Sequence, residues 1–286
     1  MFVIIGYVVV LAAVFGGFVL AGGHLPALFQ PLELLMIGGG ALGAFFVGNN
    51  NKAIKATVKA LPSVFKGSKY TRALYLELML LLFALLNKIR SEGLMAVESD
   101  IEKPEDSPIF TKFPLVLADH HIVEFMTDYV RMMVLGNIDP IQFENLMDNE
   151  IETHHAEAEV PVHSIAKLGD GLPAFGIVAA VMGVVHTMES LHLPPSELGL
   201  LIAHALVGTF LGILLAYGFV GPLSGLLEQK LHESSKTFEC IKITLLASIN
   251  GMPPTVAVEF GRKVLFSTER PTFAEMEEEI RQSKSR

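Results

Sequence analysis

Residues 172–188, LPAFGIVAAVMGVVHTM, and residues 198–220, LGLLIAHALVGTFLGILLAYGFV, decide how this chain folds. Neither holds an Asp, Glu, Lys or Arg, and both sit in a gap without Lys or Arg that runs from Lys167 to Lys230. About 20 apolar residues carry a helix across a bilayer core, so each reads as a membrane span. An equivalent gap precedes Lys52 and holds two further apolar runs. One is Phe2 to Ala21; the other is Leu34 to Val47, extendable from Leu32 to Gly48 with Glu33 at its outer end. A cleaved leader does not fit the first run, which has no basic residues before it and exceeds the usual apolar length. Four spans are expected.

Composition agrees with spans joined to a large aqueous part. The 286 residues are 51% hydrophobic yet 18% charged, and the mean hydropathy is +0.49. That is too apolar for an ordinary soluble domain and too charged for a chain sunk wholly in lipid. The net charge of −9 argues against nucleic-acid binding, which needs an excess of Lys and Arg. A single cysteine, Cys240, excludes an internal disulfide framework and a cysteine-based zinc cluster. Trp is absent, so any interfacial aromatic belt must use Tyr and Phe.

Basic residues orient the spans. The stretch after the second one carries Lys52, Lys55, Lys59, Lys66, Lys69 and Arg72 with no acid among them, whereas the connectors 22–31 and 190–197 carry no Lys or Arg. The positive-inside bias places residues 49–169 and 222–286 in the cytoplasm, with both termini inside. The expected organisation is spans one and two in 1–48, a cytoplasmic helical domain in 49–169, spans three and four in 170–221, and a cytoplasmic extension and tail in 222–286.

The aqueous part reads as helical. Ala73 to Leu86 is apolar but short and interrupted by Glu77, so it reads as a buried soluble helix, ended or bent by Gly93. Ile122, Phe125, Met126, Tyr129 and Met133 recur at helical spacing. Asp139-Pro140 is a helix start, Leu223 to Asn250 continues the fourth span up to Gly251 and Pro253-Pro254, and Thr272 with Glu275 forms a capping box. No stretch alternates as a strand does. The fold class is all-α: four transmembrane helices with a large helical cytoplasmic domain.

Chemistry-bearing residues are sparse, and the chain reads as no enzyme, with no cofactor. Gly38-Gly39-Gly40 lies in an apolar run without the Gly-Lys-Ser/Thr of a phosphate loop. Gly39 with Gly43, and Gly208 with Gly212, read instead as small-xxx-small helix packing pairs. His120-His121 and Glu150, His154, His155 and Glu157 resemble metal ligands, but residues 138–160 hold seven acids and no Lys or Arg, the pattern of a solvated face. Within the spans the polar groups at depth are His186, Thr187, His204, Thr209 and Tyr217. The two histidines read as hydrogen-bonded inside the bundle rather than as titrating relays. With no ionisable carboxylate at depth, a partner must supply one if ions move.

At the residue level, GDGLPAFGIVAAVMG (169–183), AHALVGTFLG (203–212) and Ala216-Tyr217-Gly218-Phe219 closely resemble the third and fourth spans of the flagellar motor stator family of MotA/PomA type. EFGRK (259–263), STERP (267–271), VGNN (47–50) and DNEIETH (148–154) extend the resemblance over essentially the whole chain. It implies an ion-conducting stator subunit of the bacterial inner membrane, arranged as a pentameric ring around a MotB-type partner that grips peptidoglycan and brings a membrane Asp. Ion flow past that Asp would drive the ring against a rotor switch protein of FliG type. By matching position, Thr209 would line the ion path, or else bond back to its own helix. Pro173 and Pro222 would be coupling hinges or mere helix boundaries, and Arg90, Glu98 and Glu150 would meet the rotor. Sodium-driven relatives carry Thr where this chain has Ala180, which implies a proton. The competing ExbB/TolQ energiser type has three spans and begins outside.

Overall fold

The computed structural model describes residues 2–136 and 139–285; the Ile138 end of the acidic stretch lies outside them. Helix α1 (Phe2–Leu20) is apolar on every side and buries none of its residues within this chain, as a lipid-solvated helix does. Helix α2 (Pro31–Gly48) opens on proline, whose missing amide would be unpaired there anyway. In α3 (Asn51–Phe65) the cap Asn50 Oδ1 accepts the Ala53 amide at 2.9 Å. Helix α4 (Arg72–Glu92) is closed by Gly93 at φ 93°. Two short helices, α5 (Glu98–Glu102) and α6 (Pro114–Leu117), lead into α7 (His120–Leu135).

Helix α8 (Pro140–Glu189) is unbroken for 50 residues, about 75 Å at the usual rise. Its start is the expected one, with Asp139 Oδ1 accepting the Ile141 amide at 2.9 Å. Helix α9 (Pro195–Ile213) passes into a π-helical turn over Leu214–Val220 and then α10 (Gly221–Ile249). Helices α11 (Pro254–Val264) and α12 (Phe273–Ser285) follow. The capping box before α12 is reciprocal: Thr272 N donates to Glu275 Oε2 at 2.7 Å and Glu275 N to Thr272 Oγ1 at 3.3 Å. No strand occurs among the described residues.

The chain divides into two compact units, Met1–Gly67 with Glu157–Gln229 and Ser68–Ala156 with Lys230–Arg286. In the first, Ile37 and Ala41 of α2 pack with Leu172 and Ala179 of α8 and Val207 and Leu211 of α9. Among the described residues four helical stretches are long and apolar enough to cross a membrane, those holding α1, α2, α8 and the run from Pro195. Glycines set the α8–α9 spacing. A Cβ on Gly212 would lie 2.7 Å from the Leu172 carbonyl oxygen and 3.0 Å from Gly176 Cα. The Gly208–Gly212 pair is therefore a packing pair, as expected. Gly39 and Gly43 meet no such neighbour among the described residues, none of which lies within 4 Å of a Cβ at either, and it is Gly40 that faces the Phe175 ring. A glycine spacing identifies a close-packing face only if a neighbour meets it, and α2 turns the face one residue on toward α8.

The second unit is built on α4, whose Leu78, Met79, Leu81 and Leu82 are completely buried. Against them pack Ile122, Phe125, Met126, Tyr129 and Met133 of α7 and Cys240, Ile241 and Leu245 of α10. The apolar run from Ala73 is thus a soluble core helix. Cys240 is fully buried, and burial pushes its thiol up to about 12.

The glycine spacing yields a test. Gly212→Ala is expected to lower the stability of the detergent-purified protein by about 1–3 kcal/mol, because the backbones must part. Gly39→Ala should lower it by none. Equal thermal unfolding of the two variants would contradict the packing described.

Candidate functional site

The α8–α9 contact brings together three of the residues the sequence singled out. Pro173 Cα lies 3.3 Å from a Cβ placed on Gly212, Thr209 Cα 3.5 Å from one on Gly176, and Ala180 N 3.3 Å from one on Gly208. Pro173, Ala180 and Thr209 are each half-buried. Thr187 Oγ1 bonds back to the Gly183 carbonyl at 2.9 Å, whereas among the described residues no hydrogen bond occupies the Thr209 hydroxyl. Pro173 is interior to α8 and marks no helix boundary. Pro222 stands apart from this group, exposed at the second residue of α10 and directly after the π turn. Its missing amide leaves the Gly218 carbonyl without the usual i+4 donor, and the Gly221 amide reaches back five residues to Ala216 O instead. No residue pattern marks the turn itself in advance.

One expectation for the spans needs an addition and another a correction. Glu33 stands in the first turn of α2, the expected end, but its side chain is buried to 7% exposure against α9. A Cβ on Gly208 would lie 2.5 Å from its Oε2, within the same pocket of backbone that holds Ala179 and Ala180. Position along a helix does not tell where a long side chain ends. His186, read as hydrogen-bonded inside the bundle, is exposed on this chain, while His204 is half-buried on the face of α9 that meets Glu33.

In the second unit Arg90, at the end of α4, and Glu98, the first residue of α5, are both exposed. Glu150 on α8 is also exposed, but its Oε2 accepts the Tyr129 hydroxyl at 2.6 Å. Burial, and then that carboxylate, raise the Tyr129 hydroxyl well above its ordinary range. Asp148 Oδ1 takes Lys242 Nζ at 2.6 Å. The acidic stretch is therefore more than a solvated face: two of its acids tie α8 to α7 and α10. The His121 and His154 rings lie 5.8 Å apart, and among the described residues no group of three or more His, Cys, Asp or Glu is arranged to hold a metal.

These features define a helical multi-pass membrane protein with a substantial aqueous unit. Residues 4–93 match the family model for the N-terminal part of motility protein A, and residues 118–240 match that of the MotA/TolQ/ExbB proton channel family. Motility protein A of Salmonella typhimurium is 56% identical over 98% of this chain and 95% of its own length. That of Escherichia coli is 55% identical over 100% and 97%, and the chemotaxis protein LafT of Vibrio parahaemolyticus is 38% identical over 96% of each. Among solved structures, the flagellar MotAB stator complex from Bacillus subtilis is 26% identical, with TM-score 0.73 over 90% of this chain and 92% of that one. The fold also matches C. jejuni MotAB at TM-score 0.79 and 22% identity, covering 95% and 98%. The chain belongs to the motility protein A family.

Tyr129→Phe removes the phenol that bonds Glu150 and is expected to destabilise the fold by about 1 kcal/mol, since one end of the bond is exposed. Chemical denaturation of the purified protein measures it; an unchanged midpoint would show that the bond contributes nothing.

Proposed function

We propose that this chain is the ion-conducting stator subunit of a bacterial flagellar motor, coupling proton flow to rotor torque together with an Asp-bearing MotB-type partner. The observation that carries the reading is the 56% identity to a motility protein A along nearly the whole of both chains. In this reading the subunit forms a homo-oligomeric ring, a pentamer, around a partner that binds peptidoglycan. It spans the inner membrane with both termini, and with them residues 49–169 and 222–286, in the cytoplasm. The exposed Lys52, Lys55 and Lys59 just beyond α2 support that orientation.

Thr209 and Ala180 line the ion path, Pro173 and Pro222 act as coupling hinges, and Arg90, Glu98 and Glu150 meet a FliG-type rotor switch protein. Exposure of Arg90 and Glu98 fits a docking role better than a folding one, and Glu150, also exposed, keeps one oxygen on Tyr129. The path offers one hydroxyl, Thr209, and a methyl at Ala180. A dehydrated sodium ion needs several oxygen ligands, whereas a proton needs only to reach the partner's carboxylate. A charge crossing the membrane releases about 2.3 kcal/mol per 100 mV whichever ion carries it, so the path and not the energy decides. No observation favours the TolQ/ExbB-type role, and the N-terminal match is to motility protein A.

Motor rotation tests the function directly. Speed at fixed proton-motive force should be unchanged when external sodium is removed and should collapse with a protonophore; speed that follows sodium would refute the proton assignment. The double variant Arg90→Glu with Glu98→Lys should lose torque while the ring still assembles in the membrane, since exposed charges contribute only about 0–1 kcal/mol to stability. Full torque, or loss of the ring, would remove these residues from the rotor contact.

A further inference from the structure

Glu33 presents an unusual situation for a carboxylate. Among the described residues its Oε2 is the one buried side-chain polar atom without a hydrogen-bond partner. The backbone of Gly208 leaves room for it, and around the same point α8 offers the Ala179 methyl and the backbone of Ala180. Gly208 stands ten residues after residue 198 and twelve before residue 220, so by register the carboxyl lies near the middle of the fourth apolar segment, about 15–18 Å from either end. An ionisable group at such a place is expensive to keep and marks an ion route by default.

The surroundings say which ion. Helix α2 carries no second titratable residue, α8 contributes none beside Glu33, and the Leu25–Leu28 turn against α9 has none. The group that faces Glu33 is His204, on the same face of α9 one turn nearer Pro195. One carboxyl and one imidazole among glycine and alanine cannot replace the oxygen shell of a metal cation. They can hold a proton.

We propose that Glu33 and His204 form a protonatable station, supplied by this subunit, that takes up the transported proton on the Pro195 side of the bundle before it reaches the partner's carboxylate. The proton binds a carboxylate oxygen of Glu33 and leaves it again on each passage, so the station is restored and nothing else is consumed. Its place explains why Gly208 lacks a side chain beyond the needs of helix packing. The inference rests on the stator reading, and the two fail separately.

The test uses the complex of this chain with a MotB-type partner, in motors whose external pH is varied while internal pH is clamped. Each variant is compared with wild type at the same pH, so changes in driving force cancel. A station that captures outside protons matters most when they are scarce. The ratio of Glu33→Gln speed to wild-type speed is therefore expected to fall roughly threefold between about pH 6 and about pH 8, within the tenfold per unit that one site allows. Glu33→Asp should restore most of the ratio, and His204→Gln should move the pH at which it falls. A flat ratio overturns the proposal. If Glu33→Gln does not assemble with the partner, infrared difference spectra of assembled Glu33→Asp complexes decide. A carboxyl band displaced from its wild-type position on acidification supports the station, and spectra identical to wild type overturn it. Wild-type complexes that drive no rotation would remove the stator reading and this inference with it, whereas rotation with a flat ratio removes the station alone.

Discussion

The close approach of α8 and α9 governs the rest of the membrane unit. Lipid tails are as apolar as leucine, so helices in a bilayer gain little by hiding side chains and associate through intimate contact instead. Gly176, Gly208 and Gly212 make that contact possible, with backbone atoms of one helix where side chains of the other would stand. Three consequences follow from the same glycines. Pro173, Ala180 and Thr209 become neighbours although they come from two helices. The carboxylate of Glu33 gains a place beside Gly208 that any Cβ would fill. The backbones that carry Ala180 and Thr209 are then set by the helix contact itself.

The two prolines flagged as hinges sit in different mechanical settings. Pro173 lies within a helix that shows no interruption, as does Pro161. Pro222 follows seven residues of π geometry, where the chain has already taken a wider turn. A proline that removes one hydrogen bond from a straight helix makes it easier to bend; a proline joined to a π turn marks a place where the register of the ladder has already shifted. Leu214–Val220 is therefore the weaker segment of the two, and it leaves Tyr217 exposed on its outer side.

Much of this architecture was legible because it rests on local rules. The apolar runs gave the four spanning stretches, the 3–4 spacing from Ile122 to Met133 gave the buried face of α7, and Asp139-Pro140 and Thr272 with Glu275 gave helix starts that the hydrogen bonds then fulfil. What was not legible depends on partners distant in sequence. Whether Gly39 or Gly40 faces a neighbour depends on where Phe175 lies, 135 residues on. The acids Asp148 and Glu150 look like surface charges until Lys242 and Tyr129 are brought to them. Glu33 stands at the end of α2 that the sequence indicates, but counting from the end of a helix fixes its Cα and not the end of its side chain.

The Glu33 case also changes how the charge pattern of the spans should be weighed. Reading the apolar runs alone suggests that every carboxylate must come from the partner, because none appears between their ends. Yet a residue only three positions into α2 delivers its carboxyl to the level of Gly208, one residue before Thr209. A buried carboxylate without a hydrogen bond is costly, and it persists where a function needs it or where a proton neutralises it. On the proposed path both conditions meet, since a group that alternates between the two forms is what a proton route requires. A sodium route would need hydroxyl or carbonyl oxygens around the same point, and the chain places glycine and alanine there. The chemistry of the neighbours, more than the charge itself, makes this subunit's own contribution to the path a proton's.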